Sequence, residues 1–128
     1  MLVVSKIEYM KSYIELDVWN EARSLVDQVY NLTKEFPKEE LYRITSQIRR
    51  CSVSIPSNIA EGCGRQSAKE TIHFLYISRG SLYELETQLY LSNDQQFVSN
   101  EDLKTILIQI EMCKKSINGF INYYKTKK

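Results

Sequence analysis

The chain has 128 residues, 43% of them apolar, with 17 Lys+Arg against 16 Asp+Glu and a formal net charge of +1. That is the length of one globular domain, able to fold around a single core without disulfide or metal. Two prolines and four glycines argue against a sandwich, a barrel or a disordered tail; near-neutrality excludes a uniformly basic surface, and one histidine excludes most metal and triad chemistry.

The opening residues, MLVVSKIEYMKS, carry a short apolar run with no basic region before it and no small-residue cleavage site, so they are not read as a signal peptide. Residues 1–12 are taken as an N-terminal extension and 13–128 as the folded domain. No apolar stretch approaches the ~18 to 20 residues of a membrane span. The first helix is predicted from Val18, Ala22, Leu25, Val29 and Leu32, with Trp19, Val26 and Tyr30 widening the stripe. Phe36-Pro37 ends it, and Pro37 is placed to open the second helix. That helix shows Leu41, Ile44, Ile48, Cys51, Ile55 and then Asn58 or Ile59 on one face.

Pro56 interrupts this pattern. Inside a helix it removes a hydrogen bond and clashes with the Ser52 carbonyl, at a cost of ~3 kcal/mol. Ile55 would cap a new helix poorly, and Ser52, Ser54, Ser57 and Asn58 offer partners for freed backbone groups. One kinked helix is therefore expected. Gly62 and Gly64 suit a left-handed turn after it. Ser67-Ala-Lys-Glu70 reads as a capping box for the third helix, whose stripe is Ile72, Leu75, Arg79, Leu82, Glu86 and Leu89. Ser99-Asn-Glu-Asp102 is a looser box before the fourth: Leu103, Ile106, Ile110, Cys113, Ile117, Phe120 and Tyr124. Four such helices joined by about four to seven residues predict an all-α, antiparallel up-down-up-down four-helix bundle.

The chemical constellations are weak. Glu70-Thr-Ile-His73 has the spacing of a di-iron half-site, but a second such pair cannot exist with one histidine, so His73 reads as a partly buried ring beside Phe74. Gly62-Cys-Gly-Arg65-Gln-Ser67 lacks the lysine and spacing of a phosphate loop; Arg65, beside the start of the third helix, suits an anion. Nothing orients Cys63 and His73 as nucleophile and base. Cys51, Cys63 and Cys113 show no CxxC spacing and read as reduced thiols of a cytoplasmic protein. No catalytic residue, cofactor or metal is expected.

Charge is patterned along the chain. Residues 1–42 carry net −3, 43–79 net +4, 80–111 net −5 and 112–128 net +5. Five of the six arginines fall within 43–79. Arginine forks suit phosphate, while the alternation equally suits pairing between neighbouring helices. If phosphate is the partner, the contact residues are Arg43, Arg49, Arg50, Arg65 and Lys69, with Lys114, Lys115 and the rest of the lysine tail. On the third helix Arg79, Glu84 and Glu86 lie among apolar positions around the small pair Gly80-Ser81, and the helix is apolar almost all round. That favours an oligomer, in which such a face is covered.

The string from Gln47 to Arg65, QIRRCSVSIPSNIAEGCGR, resembles the signature of the bacterial 23S rRNA intervening-sequence protein family. The block Phe74-Leu-Tyr-Ile-Ser-Arg79-Gly80-Ser81-Leu-Tyr-Glu84-Leu-Glu86-Thr-Gln88-Leu and the opening Leu16-Asp-Val-Trp19-Asn-Glu-Ala22 are similar to it too. The resemblance spans roughly residues 13–124 and marks Asn58, Glu61, Gly62, Arg79, Gly80, Ser81, Glu84 and Glu86 as structural or interface positions. It implies a small four-helix bundle assembling as a homopentamer, with no catalytic residues. A related branch, the accessory proteins of diversity-generating retroelements, binds nucleic acid and a reverse transcriptase through a basic barrel; this chain is almost neutral by comparison. The expectation is a cytoplasmic, non-enzymatic, oligomeric scaffold associated with RNA or DNA, or alternatively a protein–protein adaptor without nucleic-acid binding.

Overall fold

The computed structural model describes residues 12–126, and these contain helices and no strand. The predicted N-terminal extension lies outside the described residues except for Ser12, as do Lys127 and Lys128 of the lysine tail. The long helices are α1 (Asp17–Thr33), α2 (Ser46–Cys63), α3 (Ala68–Asp94) and α4 (Asn100–Thr126). Each packs on its neighbours in the chain, and α1 also packs on α4, closing a ring around one core. Gln109 Nε2 donates to the Glu21 carbonyl (3.3 Å) and Ser116 Oγ to the Glu21 carboxylate, pinning that closing pair. This is the predicted four-helix bundle.

The core is built from Val18, Ala22, Leu25 and Val29 of α1 and Ile48, Ile55 and Ile59 of α2. Leu75, Leu82, Leu85 and Leu89 of α3 meet Ile106, Ile110, Ile117 and Ile121 of α4 in the same layer stack. Each Val, Leu or Ile among them contributes about 1.5–3 kcal/mol when fully buried. The predicted stripes hold on α1, α2 and α4 apart from their edges. Thr33 is buried where Leu32 was expected, and Ile121 takes the core position next to a half-buried Tyr124. On α3 the stripe is displaced: Ser78 and Leu85 face the core, and Arg79 and Glu86 stand beside it. A helix apolar all round accommodates either register, and the fold adopts the one that keeps both charges at the edge.

α2 begins later than Pro37 implies. A short 3-10 turn, Lys38–Glu40, leads into one π-turn, Leu41–Thr45, in which Tyr42 (φ −97°, ψ 16°) and Arg43 (φ −121°, ψ −114°) leave helical geometry. Leu41, expected in the core, is thereby turned outward, and Tyr42 is 90% exposed. Further along, α2 runs through Pro56 unbroken. Ser54 Oγ donates to the Cys51 carbonyl (2.7 Å) and Asn58 Nδ2 to the Ser54 carbonyl (2.8 Å). Ser78 Oγ of α3 donates to the Ile55 carbonyl (2.8 Å), a partner from another helix.

The turns differ from their predicted chemistry. No glycine has positive φ among the described residues, and Gly64 sits at φ −85°. Gly62 serves close approach instead: a Cβ there would lie 3.1 Å from the Thr71 carbonyl oxygen and 3.2 Å from Phe74 Cβ. Thr71 Oγ1 uses that proximity to donate to the Gly62 carbonyl (2.8 Å). Ser67 caps α3 by accepting from the Glu70 N–H (3.2 Å), and Ser99 accepts from the Asp102 N–H (3.0 Å) at the start of α4. The left-handed residue is Gln96, at φ 68°. Around it the Phe97 N–H reaches the Ser92 carbonyl and the Gln96 N–H the Asn93 carbonyl, both at 2.9 Å, which is a Schellman ending for α3.

Candidate nucleic-acid interface

The arginines at the start of α2 meet α1 across a groove. Arg49 is half-buried; its Nε donates to Thr33 Oγ1 (2.8 Å) and its guanidinium lies 4.8 Å from the Tyr30 ring centre. Arg50, one residue on, is exposed. With Tyr30, Leu41, Tyr42, Ser46 and Val53 these two line a depression of about 450 Å³. A second depression of about 360 Å³ shares Tyr30 and Val53 and continues along α1 past Trp19, Arg23 and Val26. Arg23 sits 5.4 Å from the Trp19 ring centre. Arg43 stands exposed in the π-turn beside Tyr42. Among the described residues no carboxylate lies within ion-pair distance of Arg43, Arg49 or Arg50.

The other predicted cations are placed elsewhere. Arg65 is past the far end of α2, roughly 22 Å along the helix from Arg50 at 1.5 Å per residue. It pairs with Glu61 (2.5 Å) and covers the Phe74 ring at 4.5 Å, so its predicted anion partner is an internal one. Lys69 and Lys115 are exposed, on α3 and α4. Lys114 is mostly buried, bonded to both Glu86 oxygens (3.0 Å each) and to Glu111 (2.9 Å), with the Tyr83 ring 4.4 Å away. Burial opposes its charge, yet the bonds to Glu111 and Glu86 outweigh that and hold its pKa above the usual lysine value. The alternation of charge is thus partly internal: the +5 segment meets the −5 segment at Lys114 and Glu86.

Several of the motif positions make contacts between helices. Arg79 donates to Asn118 Oδ1 on α4 (2.9 Å) and covers Tyr76 at 4.8 Å. Ser81 bonds Ser54 across α2 and α3 (2.6 Å), and Cys51 Sγ contacts the Ser81 carbonyl (3.1 Å) and Glu84 (3.6 Å). Gly80 has open space around it within the chain. His73 is exposed, not partly buried, with its ring edge-on to Phe74 at 5.4 Å. Burial pushes the Cys51 thiol up to about 12, with Glu84 adding to it, and raises Cys63 to about 11. Cys113 is likewise pushed to about 12 by burial and by Glu21. Such thiols carry almost no thiolate at neutral pH. No cluster of three or more His, Cys, Asp or Glu side chains suited to a metal occurs among the described residues, and no helix there is long and apolar enough to cross a membrane.

Residue reading of the sequence passed over the aromatic side of the groove. Trp19, Arg23, Val26 and Tyr30 recur on one face of α1, but apolar periodicity merges Trp19, Val26 and Tyr30 into the core stripe. The arrangement defines a four-helix bundle with a cationic, aromatic groove on one side. Residues 14–119 match the family model of the 23S rRNA-intervening sequence protein, and the chain belongs to that family. A search of curated proteins returned no match.

Proposed function

We propose that the chain is a non-enzymatic, oligomeric four-helix-bundle protein that acts as an RNA- or DNA-associated scaffold in the cytoplasm. The observation that carries this reading is the set of arginines at the start of α2, Arg43, Arg49 and Arg50, none of them neutralised by a carboxylate among the described residues. Lys69 and Lys115 are secondary contacts, and Arg65 and Lys114 drop out of the contact set because acids already hold them. A fluorescently labelled structured RNA should bind, and three phosphate contacts should weaken it about 40-fold between 50 and 200 mM salt. Replacing Arg49 and Arg50 by Gln should flatten that salt dependence. Absent or salt-independent binding at low ionic strength overturns the reading.

Self-association is part of the proposal. The outer face of α3 exposes Tyr76, Ile77, Tyr83, Tyr90 and Leu91, each between 38% and 51%, and the resemblance implies a homopentamer. Sedimentation should give several times the 15.1 kDa of one chain; a monomer at micromolar concentration removes this part. The same face supports the alternative reading, a protein–protein adaptor without nucleic acid. Copurification of a partner that survives nuclease treatment favours the adaptor, and a reverse transcriptase among the copurifying proteins would match the resemblance to the retroelement branch.

A further inference from the structure

We infer that the α1–α2 groove takes single-stranded nucleic acid, with bases stacked on its aromatic rings and guanidinium planes; this rests on the nucleic-acid reading above. Three observations converge. The two depressions share Tyr30 and Val53 in their linings, so they adjoin along the α1–α2 seam as one elongated open groove. Along it the polar and ring groups alternate: Arg23 against Trp19 at 5.4 Å, Arg49 against Tyr30 at 4.8 Å, then Arg50 and the 90% exposed Tyr42. One carboxylate, Asp27, is among the lining residues, and Asn31 Nδ2 approaches it at 3.5 Å.

Charge complementarity selects the occupant. A channel lined by three arginines and one acid favours a polyanion over an acidic or apolar helix that would leave the guanidinium groups without regular partners. The rings then select its form. Bases in a duplex are stacked on one another, so Tyr42 and the Arg49–Tyr30 pair have nothing to stack on; unpaired bases offer free π-faces, and both aromatic rings and arginine planes accept them. Arg50, exposed beside Tyr42, is free to follow the phosphates, while Arg49 is oriented by Thr33 and keeps its guanidinium over the Tyr30 ring. Sequence preference is expected to be slight, because every base has a stacking face.

The sole tryptophan lies in the groove, so the protein carries its own reporter. The intact chain is titrated with 12-mer oligo-U and oligo-dT, and separately with a 12-base-pair RNA duplex, following intrinsic tryptophan fluorescence and the anisotropy of a labelled strand. Single strands should bind more tightly than the duplex and quench the tryptophan. Tyr42→Ala, at a side chain almost wholly in solvent, should weaken single-strand binding about tenfold, and Tyr42→Phe should restore it. Lys104→Gln, at an exposed position of α4 that does not line the groove, should leave it within about twofold. Duplex binding with silent tryptophan fluorescence and no effect of Tyr42→Ala overturns the groove inference and leaves the broader reading standing. Binding of neither form overturns both.

Discussion

Gly62 and Gly80 occupy opposite surroundings, and the same substitution should therefore have opposite signs. A methyl at Gly62 presses on the Thr71 carbonyl at 3.1 Å and Phe74 Cβ at 3.2 Å, a backbone oxygen and a β-carbon fixed by the backbone, which have little room to give. Gly62→Ala should cost about 1–3 kcal/mol through overpacking of the α2–α3 contact. At Gly80 nothing lies within 4 Å, and helix propensity alone should make Gly80→Ala stabilising by about 0.5–1 kcal/mol. Urea denaturation of both variants under monomeric conditions checks the pair; equal shifts in one direction would contradict it. The glycine signal in the sequence indicated a turn at both Gly62 and Gly64. It did not distinguish a residue needed for its backbone freedom from one needed for its missing side chain, since only the position of α3 decides that.

Among the elements, α4 was the most legible because its stripe alternates cleanly with polar residues, and every predicted position but Tyr124 is buried. Helix α3 was the least legible. Apolar residues surround it, so Arg79 and Glu86 fitted the periodicity as well as Ser78 and Leu85 did, and only packing broke the tie. The end of α3 was hidden for a different reason: the left-handed position of its Schellman turn holds Gln96, not glycine or asparagine. That turn places Phe97 against Phe36, with ring centres 5.7 Å apart, and so fixes how α4 leaves α3. Gln96→Gly should relieve the left-handed backbone and raise stability by about 1 kcal/mol, read as a shift of the denaturation midpoint at constant slope. The groove on α1 was legible only in part. Arg49 and Arg50 were indicated by the clustering of arginine within 43–79, but Arg23 was not, and the exposure of Tyr42 follows from a π-turn that no periodicity signals.

For the molecule as a whole, the buried thiols tie stability to alkaline pH. Cys51, Cys63 and Cys113 ionise near 9 when unfolded and near 11 to 12 in the fold, and burial moves Tyr124 from 10 to about 12. The folded chain therefore holds these protons after the unfolded chain has released them. Their contribution is fully present below about pH 9 and is lost as pH rises through the window up to about 12. Lys114, also raised, acts in the same direction. Thermal melts should be level near neutrality and fall steeply above pH 9, and replacing Cys51 and Cys113 by Ala should make that fall shallower.

The hydroxyls of Thr71 and Ser78 end on carbonyls of α2, at Gly62 and Ile55, and the bundle's two middle helices are fastened backbone to side chain at both places. Separating them would strand those carbonyls together with the apolar seam. Amide protons of α2 and α3 should consequently exchange with deuterium at a common opening free energy, as one cooperative unit, while the 3-10 and π-turns before α2 exchange earlier and independently. Tyr42, the most exposed ring of the groove, then belongs to a labile turn joined to a durable helix, and a strand bound there would be seen first as slowed exchange between Lys38 and Thr45.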